Sequence, residues 1–140
     1  MKILIAADGS EFTGRMLAYL AGHDQMFGLA PQFTVLTVVP PLPARAAAAL
    51  HRDVVTAHYG EAAEEVLAPV RTFFEKHAIA ADYVHKVGHA ADVIASVAEH
   101  DHYDLLVMGS HGHGVLGTMM LGSVTMKVMA GCKTPVLIVR

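Results

Sequence analysis

Between Met108 and Ser123 the chain reads MGSHGHGVLGTMMLGS, five glycines and two histidines directly after the apolar Leu105, Leu106 and Val107. Glycines this dense at the end of a strand let backbone N–H groups turn toward a ligand, and the chemistry such a loop serves is anion binding. Three phosphate-loop patterns can be laid over it. Gly112-x-Gly114-x2-Gly117 matches the dinucleotide fingerprint, whose companion is an acidic residue roughly 20 positions later. That position falls near Leu137, and no Asp or Glu follows Asp104, so the fingerprint fails. A P-loop needs a lysine after its last glycine. Gly112 to Thr118 and Gly117 to Ser123 both have the spacing without the lysine. The third pattern is Gly109-x2-Gly112-x9-Gly122-Ser123. It would place Ser123 as the N-cap of a last helix, with unpaired amides at Val124 and Thr125 and the positive end of the helix aimed at an anion. A glycine loop closed by an ordinary serine cap is the plainer reading, and both stand on these residues alone.

Asp8 ends an apolar run and opens the turn Asp8-Gly9-Ser10, where it either caps the turn or presents its carboxylate to a ligand. Ten histidines raise the question of a metal, with His100/His102, His111/His113 and His85/His89 as the nearest pairs. Metal sites need three or four converging ligands, and the single thiol, Cys132, adds little; surface roles and no metal are expected. No basic cluster or paired His is evident in the sequence to activate Cys132, which stands just before Lys133, so it is read as structural. Met119 and Met120 are read as core or dimer packing. With no P-loop lysine and no recognisable Ser-His-Asp spacing, the expectation is a binding protein and not an enzyme.

These residues need a scaffold, and the chain alternates strand-like and helix-like runs. Residues 3–7 are continuously apolar, as a strand covered on both faces should be. A helix follows with Met16, Leu17, Leu20 and Ala21 on one face, then strands over 33–39, 83–87, 105–108 and 135–140. Helices are expected over 51–77, bent or restarted at Pro69, over 90–99, and over 123–130. Residues 40–50, PPLPARAAAAL, show no amphipathic stripe and are expected to be a long surface connection. Strand–helix alternation with two-sided apolar strands predicts one doubly wound parallel α/β domain over residues 1–140. Ligands of such sheets sit at the carboxyl ends of the strands, and Asp8, Val38 and the glycine loop all fall there.

The composition agrees with a folded chain: 54% hydrophobic, 16% charged, 140 residues. A net charge of −3 without a basic run argues against nucleic-acid or anionic-membrane partners. The opening run reaches Asp8 too soon for a signal peptide, and no apolar run approaches the ~20 residues of a membrane span, so a cytoplasmic protein is expected.

Taken together, IAADGS, LTVVPP, DLLVMGSHG…LGSVTMKV and the terminal PVLIVR resemble a small, single-domain universal stress protein, with Gly109-x2-Gly112-x9-Gly122-Ser123 as the marker of its ATP-binding branch. The resemblance implies a Rossmann-like, adenine nucleotide alpha hydrolase-like fold, a five-stranded parallel sheet of order 3-2-1-4-5 with helices on both faces. It implies ATP, alone or with Mg2+, as the ligand: Asp8 on the ribose hydroxyls, the backbone of Val38 at the adenine edge, Met108 and Gly109 near the sugar and first phosphate, and Gly112, Gly122, Ser123, Val124 and Thr125 on the phosphates. It further implies a homodimer made by antiparallel pairing of Val136–Val139, acting as a stress-response regulator on protein partners not identifiable from sequence. The alternative within the family is a nucleotide-free dimeric scaffold. Many relatives carry Arg or Lys at the position of His113; here no Lys or Arg lies between Gly109 and Ser123, which leaves phosphate to backbone amides, the helix charge and His111 or His113.

Overall fold

The computed structural model describes residues 1–114 and 121–140. Five strands form one parallel sheet: β1 (Lys2–Ala6), β2 (Gln32–Val39), β3 (Ala81–Val87), β4 (Leu105–Gly109) and β5 (Val136–Val139), in the order β3-β2-β1-β4-β5. The order and the parallel sense are those expected. Ile3, Leu4 and Ile5 are fully buried, because β1 is central and covered on both faces. Ile3 pairs with Phe33 on one side and with Leu105 on the other.

Alternation along the strands splits the core into two layers. Ile3, Ile5, Phe33, Val35 and Val107 pack against Met16, Leu17 and Leu20 of α1 (Glu11–Gly22) and Leu67, Val70 and Phe74 of α3 (Arg52–Lys76). Leu4, Leu36, Leu106 and Met108 pack on the other face against Ile94 and Ala98 of α4 (Ala90–His100) and Val128 of α5 (Ser123–Gly131). The two edges differ. β3 is mostly exposed and carries Asp82, His85 and Lys86, whereas β5 is wholly apolar and half-buried. A charged edge discourages strand addition and an apolar one does not.

Three expectations change. Residues 40–50 contain a helix, α2 (Ala44–Ala49), with no buried residue; five alanines in six residues favour a helix without an apolar stripe. The Leu42 N–H donates to Tyr59 Oη at 2.9 Å, which ties this segment to α3. Pro69 neither ends nor restarts α3, which runs on for 25 residues. Pro69 and Glu65, whose carbonyl loses its helical donor, are both exposed, so water replaces the missing bond. Strand β3 starts at Ala81, two residues early, because Phe33 and Thr34 of β2 pair with Ala81 and Asp82. On α3, the Arg71 guanidinium lies 4.9 Å from the centroid of the Tyr83 ring and forms two 3.1 Å hydrogen bonds to Glu64, clamping the helix to the edge strand.

Candidate functional site

Sheet order sets where a site opens. The chain leaves β1 toward α1 on one face and leaves β4 toward α5 on the other, so the connections after these neighbouring strands diverge and open a crevice at their carboxyl ends. There the structure has a cleft of about 230 Å³. All nine expected positions line it: Asp8, Val38, Met108, Gly109, Gly112, Gly122, Ser123, Val124 and Thr125. His111, His113, Ala6, Leu36, Ala90 and Ile94 line it as well. The expectations for Gly117, Thr118, Met119 and Met120 lie outside the described residues.

Asp8 performs the structural task at the same time as it faces the cleft. Its Oδ1 accepts from the Ser10 N–H at 2.9 Å and from the buried Thr13 hydroxyl at 3.0 Å, and its own N–H donates to Thr13 Oγ1 at 3.2 Å. This locks the carboxylate in one orientation and leaves Oδ2 beside Gly112. A Cβ at Gly112 would lie 2.5 Å from that oxygen, so this contact requires a glycine. Gly9 turns the chain with φ of +77°, which favours glycine for a different reason.

The loop's base is equally fixed. Ser110, 2% exposed, donates its N–H to the Val139 carbonyl of β5 at 2.8 Å and accepts from the Gly122 N–H at 2.8 Å. Thr125, also buried, donates its hydroxyl to the Gly109 carbonyl at 3.1 Å. Gly109 and Gly122 are both close-approach positions: an added Cβ would lie 2.8 Å from Phe12 Cβ in the first case and 3.1 Å from His111 Cα in the second.

These contacts correct the expectation that Ser123 is the N-cap. Gly122 takes that place, and its carbonyl accepts the Met126 N–H at 3.0 Å, while Ser123 is the first helical residue. The helix starts one residue sooner because the Gly122 N–H is pinned to the Ser110 carbonyl and the residue sits close against His111, where an added Cβ would be a tight fit. Thr125 is corrected in one respect: its hydroxyl serves the end of β4, which leaves its backbone N–H as its donor toward the cleft. Ser123, Val124 and Thr125 are all in the first turn, whose N–H groups have no acceptor within the helix. At the cleft wall they present donors and the positive end of α5.

Two histidines join the wall. His113 Nε2–H donates to the Asp8 carbonyl at 2.7 Å, carrying the loop after β4 across to the turn after β1. The His111 ring lies 5.1 Å from the Phe12 ring, and its Nδ1 is 3.1 Å from Ser110 Oγ. Among the described lining residues there is no Lys or Arg. Among the described residues, no group of three His, Cys, Asp or Glu side chains is placed to hold a metal. Thr13 was missed in the sequence; its position five residues after Asp8, on the apolar face of α1, was the available signal.

The sequence profile of the universal stress protein family matches residues 1–140. The chain belongs to the universal stress protein family. It is 30% identical over 138 residues to a universal stress protein of Thermus aquaticus, covering 99% of this chain and 97% of that relative. A similar likeness links it to the universal stress protein Slr1230 of Synechocystis, 30% over 139 residues and 99% of this chain, although the chain spans only 42% of that relative's length. Among solved structures, the protein MJ0577 of Methanocaldococcus jannaschii superposes with a TM-score of 0.78 at 26% identity, over 99% of this chain and 94% of that one. More distant solved members share the fold. An Arabidopsis thaliana family protein with AMP bound has a TM-score of 0.69 at 14% identity, over 99% and 90% of the two chains. The Archaeoglobus fulgidus universal stress protein in complex with dAMP has a TM-score of 0.65 at 21% identity, over 100% and 98%.

Proposed function

We propose that this universal stress protein binds an adenine nucleotide in the cleft between β1 and β4, with ATP as the working ligand, and changes its partners with nucleotide state. The observation that carries the reading is the convergence of a fixed carboxylate, Asp8, and the N–H groups at the start of α5 on one glycine-walled cleft. A carboxylate acceptor suits vicinal ribose hydroxyls, and helix amides suit phosphates. The apolar Val38, Leu36 and Ile94 supply the wall a purine needs. AMP and dAMP in solved members of the fold support the same ligand class.

The protein works in this reading as a cytoplasmic homodimer paired through Val136–Val139, the apolar edge of the sheet. It binds rather than turns over: Asp8 is the one carboxylate among the described lining residues, and Thr13 and Ser10 already hold it. Calorimetric titration with Mg–ATP, ADP and AMP tests this. Asp8→Asn keeps the acceptor that Ser10 needs while removing the charge, so it weakens nucleotide binding without unfolding the turn. Absence of binding by the wild-type protein at millimolar nucleotide refutes the proposal and leaves the dimeric scaffold.

A further inference from the structure

We propose that His113 is the charged phosphate-binding residue of this cleft, and that nucleotide affinity is therefore linked to proton uptake. The inference rests on the nucleotide reading above. Among the described residues the wall holds no Lys or Arg, so among them the start of α5 supplies the permanent positive potential and the histidines are the side chains able to carry a full positive charge. A ligand with several negative charges meets Asp8 in the same cleft, a like charge that the backbone alone must outweigh.

His113 is built for this role by its tautomer. The Asp8 carbonyl can only accept, so the 2.7 Å bond fixes the neutral ring with its proton on Nε2. The second proton then enters at Nδ1, adding a charge and a donor without breaking the bond that seats the loop. Histidines exchange this proton between about pH 5 and pH 8. His111 is held differently, between the Phe12 ring and Ser110 Oγ. The other charges on the packed elements are few. Asp8 belongs to the turn after β1, and Glu11 and Arg15 pair with each other at 3.4 Å on α1, where Arg15 sits 5.1 Å over Phe12. His89 and Asp92 lie at the start of α4, and α5 has no titratable group before Lys127.

A phosphate that prefers the imidazolium binds more tightly as pH falls, and each bound ligand draws protons onto the protein. The test uses three probes: adenosine, AMP, and the 5′-methyl ester of AMP, whose single charge does not titrate in this range and so removes the phosphate's own protonation from the comparison. For the ester, affinity rises about tenfold between about pH 8.5 and pH 5.5. Adenosine shows no such slope. His113→Gln keeps a donor for the Asp8 carbonyl and abolishes the slope; His113→Lys fixes the high affinity at both pH values. Ester affinity that is flat with pH in the wild type, or a slope that persists in His113→Gln, overturns the assignment. If adenosine and both nucleotides fail to bind at every pH, the nucleotide reading itself falls.

Discussion

Gly112→Ala is the sharpest probe of how the cleft is built. The new methyl group would lie 2.5 Å from Asp8 Oδ2, well inside contact distance. The end of a carboxylate can ordinarily swing aside at little cost. Here it cannot, because Oδ1 is held by the Ser10 N–H and the Thr13 hydroxyl, and rotation breaks both bonds. Relief comes from losing those bonds or from displacing the loop after β4, which His113 and Gly122 anchor. Either route costs about 1–3 kcal/mol, the usual range for an added methyl in a packed site. A chain of 140 residues has an unfolding entropy near 0.3 kcal/mol per degree, so melting falls by about 3–10 °C. Thermal denaturation of a double-mutant cycle separates the cause. Asp8→Ala is itself destabilising, since it strands Thr13, but on that background Gly112→Ala costs less than about 0.5 kcal/mol. An equal cost in both backgrounds would show that the glycine is required by the backbone and not by the carboxylate.

Two further outcomes are expected. Thr125→Val removes the donor to the Gly109 carbonyl from a buried position and lowers stability by about 1–3 kcal/mol in chemical denaturation, whereas Thr125→Ser restores most of it. The clamp on β3 shapes both ends of the pH–stability curve. The bond from Arg71 lowers the pKa of Glu64, so its contribution is present above the ordinary 4.5 and is lost as pH falls below it. Burial raises that of Tyr83, so stability is complete below its ordinary 10.0 and is lost as pH rises above it; Tyr83→Phe removes the alkaline loss, measured by urea denaturation across pH.

The sheet was legible because burial on both faces leaves strands such as Ile3, Leu4 and Ile5 continuously apolar, and because β–α alternation admits few topologies. The site was legible for a related reason: Gly109 and Gly112 record approaches closer than a side chain allows, and Gly122 a tight one. What stayed hidden depends on neighbours distant in sequence. The helix start at Gly122 follows from its bond to Ser110, which no local cap preference reveals. Thr13 lies on the apolar face of α1, and its bond to Asp8 exists only once the fold sets the two side by side. The α2 segment has no buried face to leave a periodic trace.

Ser110 sits where two parts of this molecule meet. Its N–H hangs on the outermost apolar strand and its carbonyl holds Gly122, the N-cap of the helix that walls the cleft. The apolar edge of the sheet and the wall of the cleft are thus joined through one buried serine, like two loads on a single hinge pin.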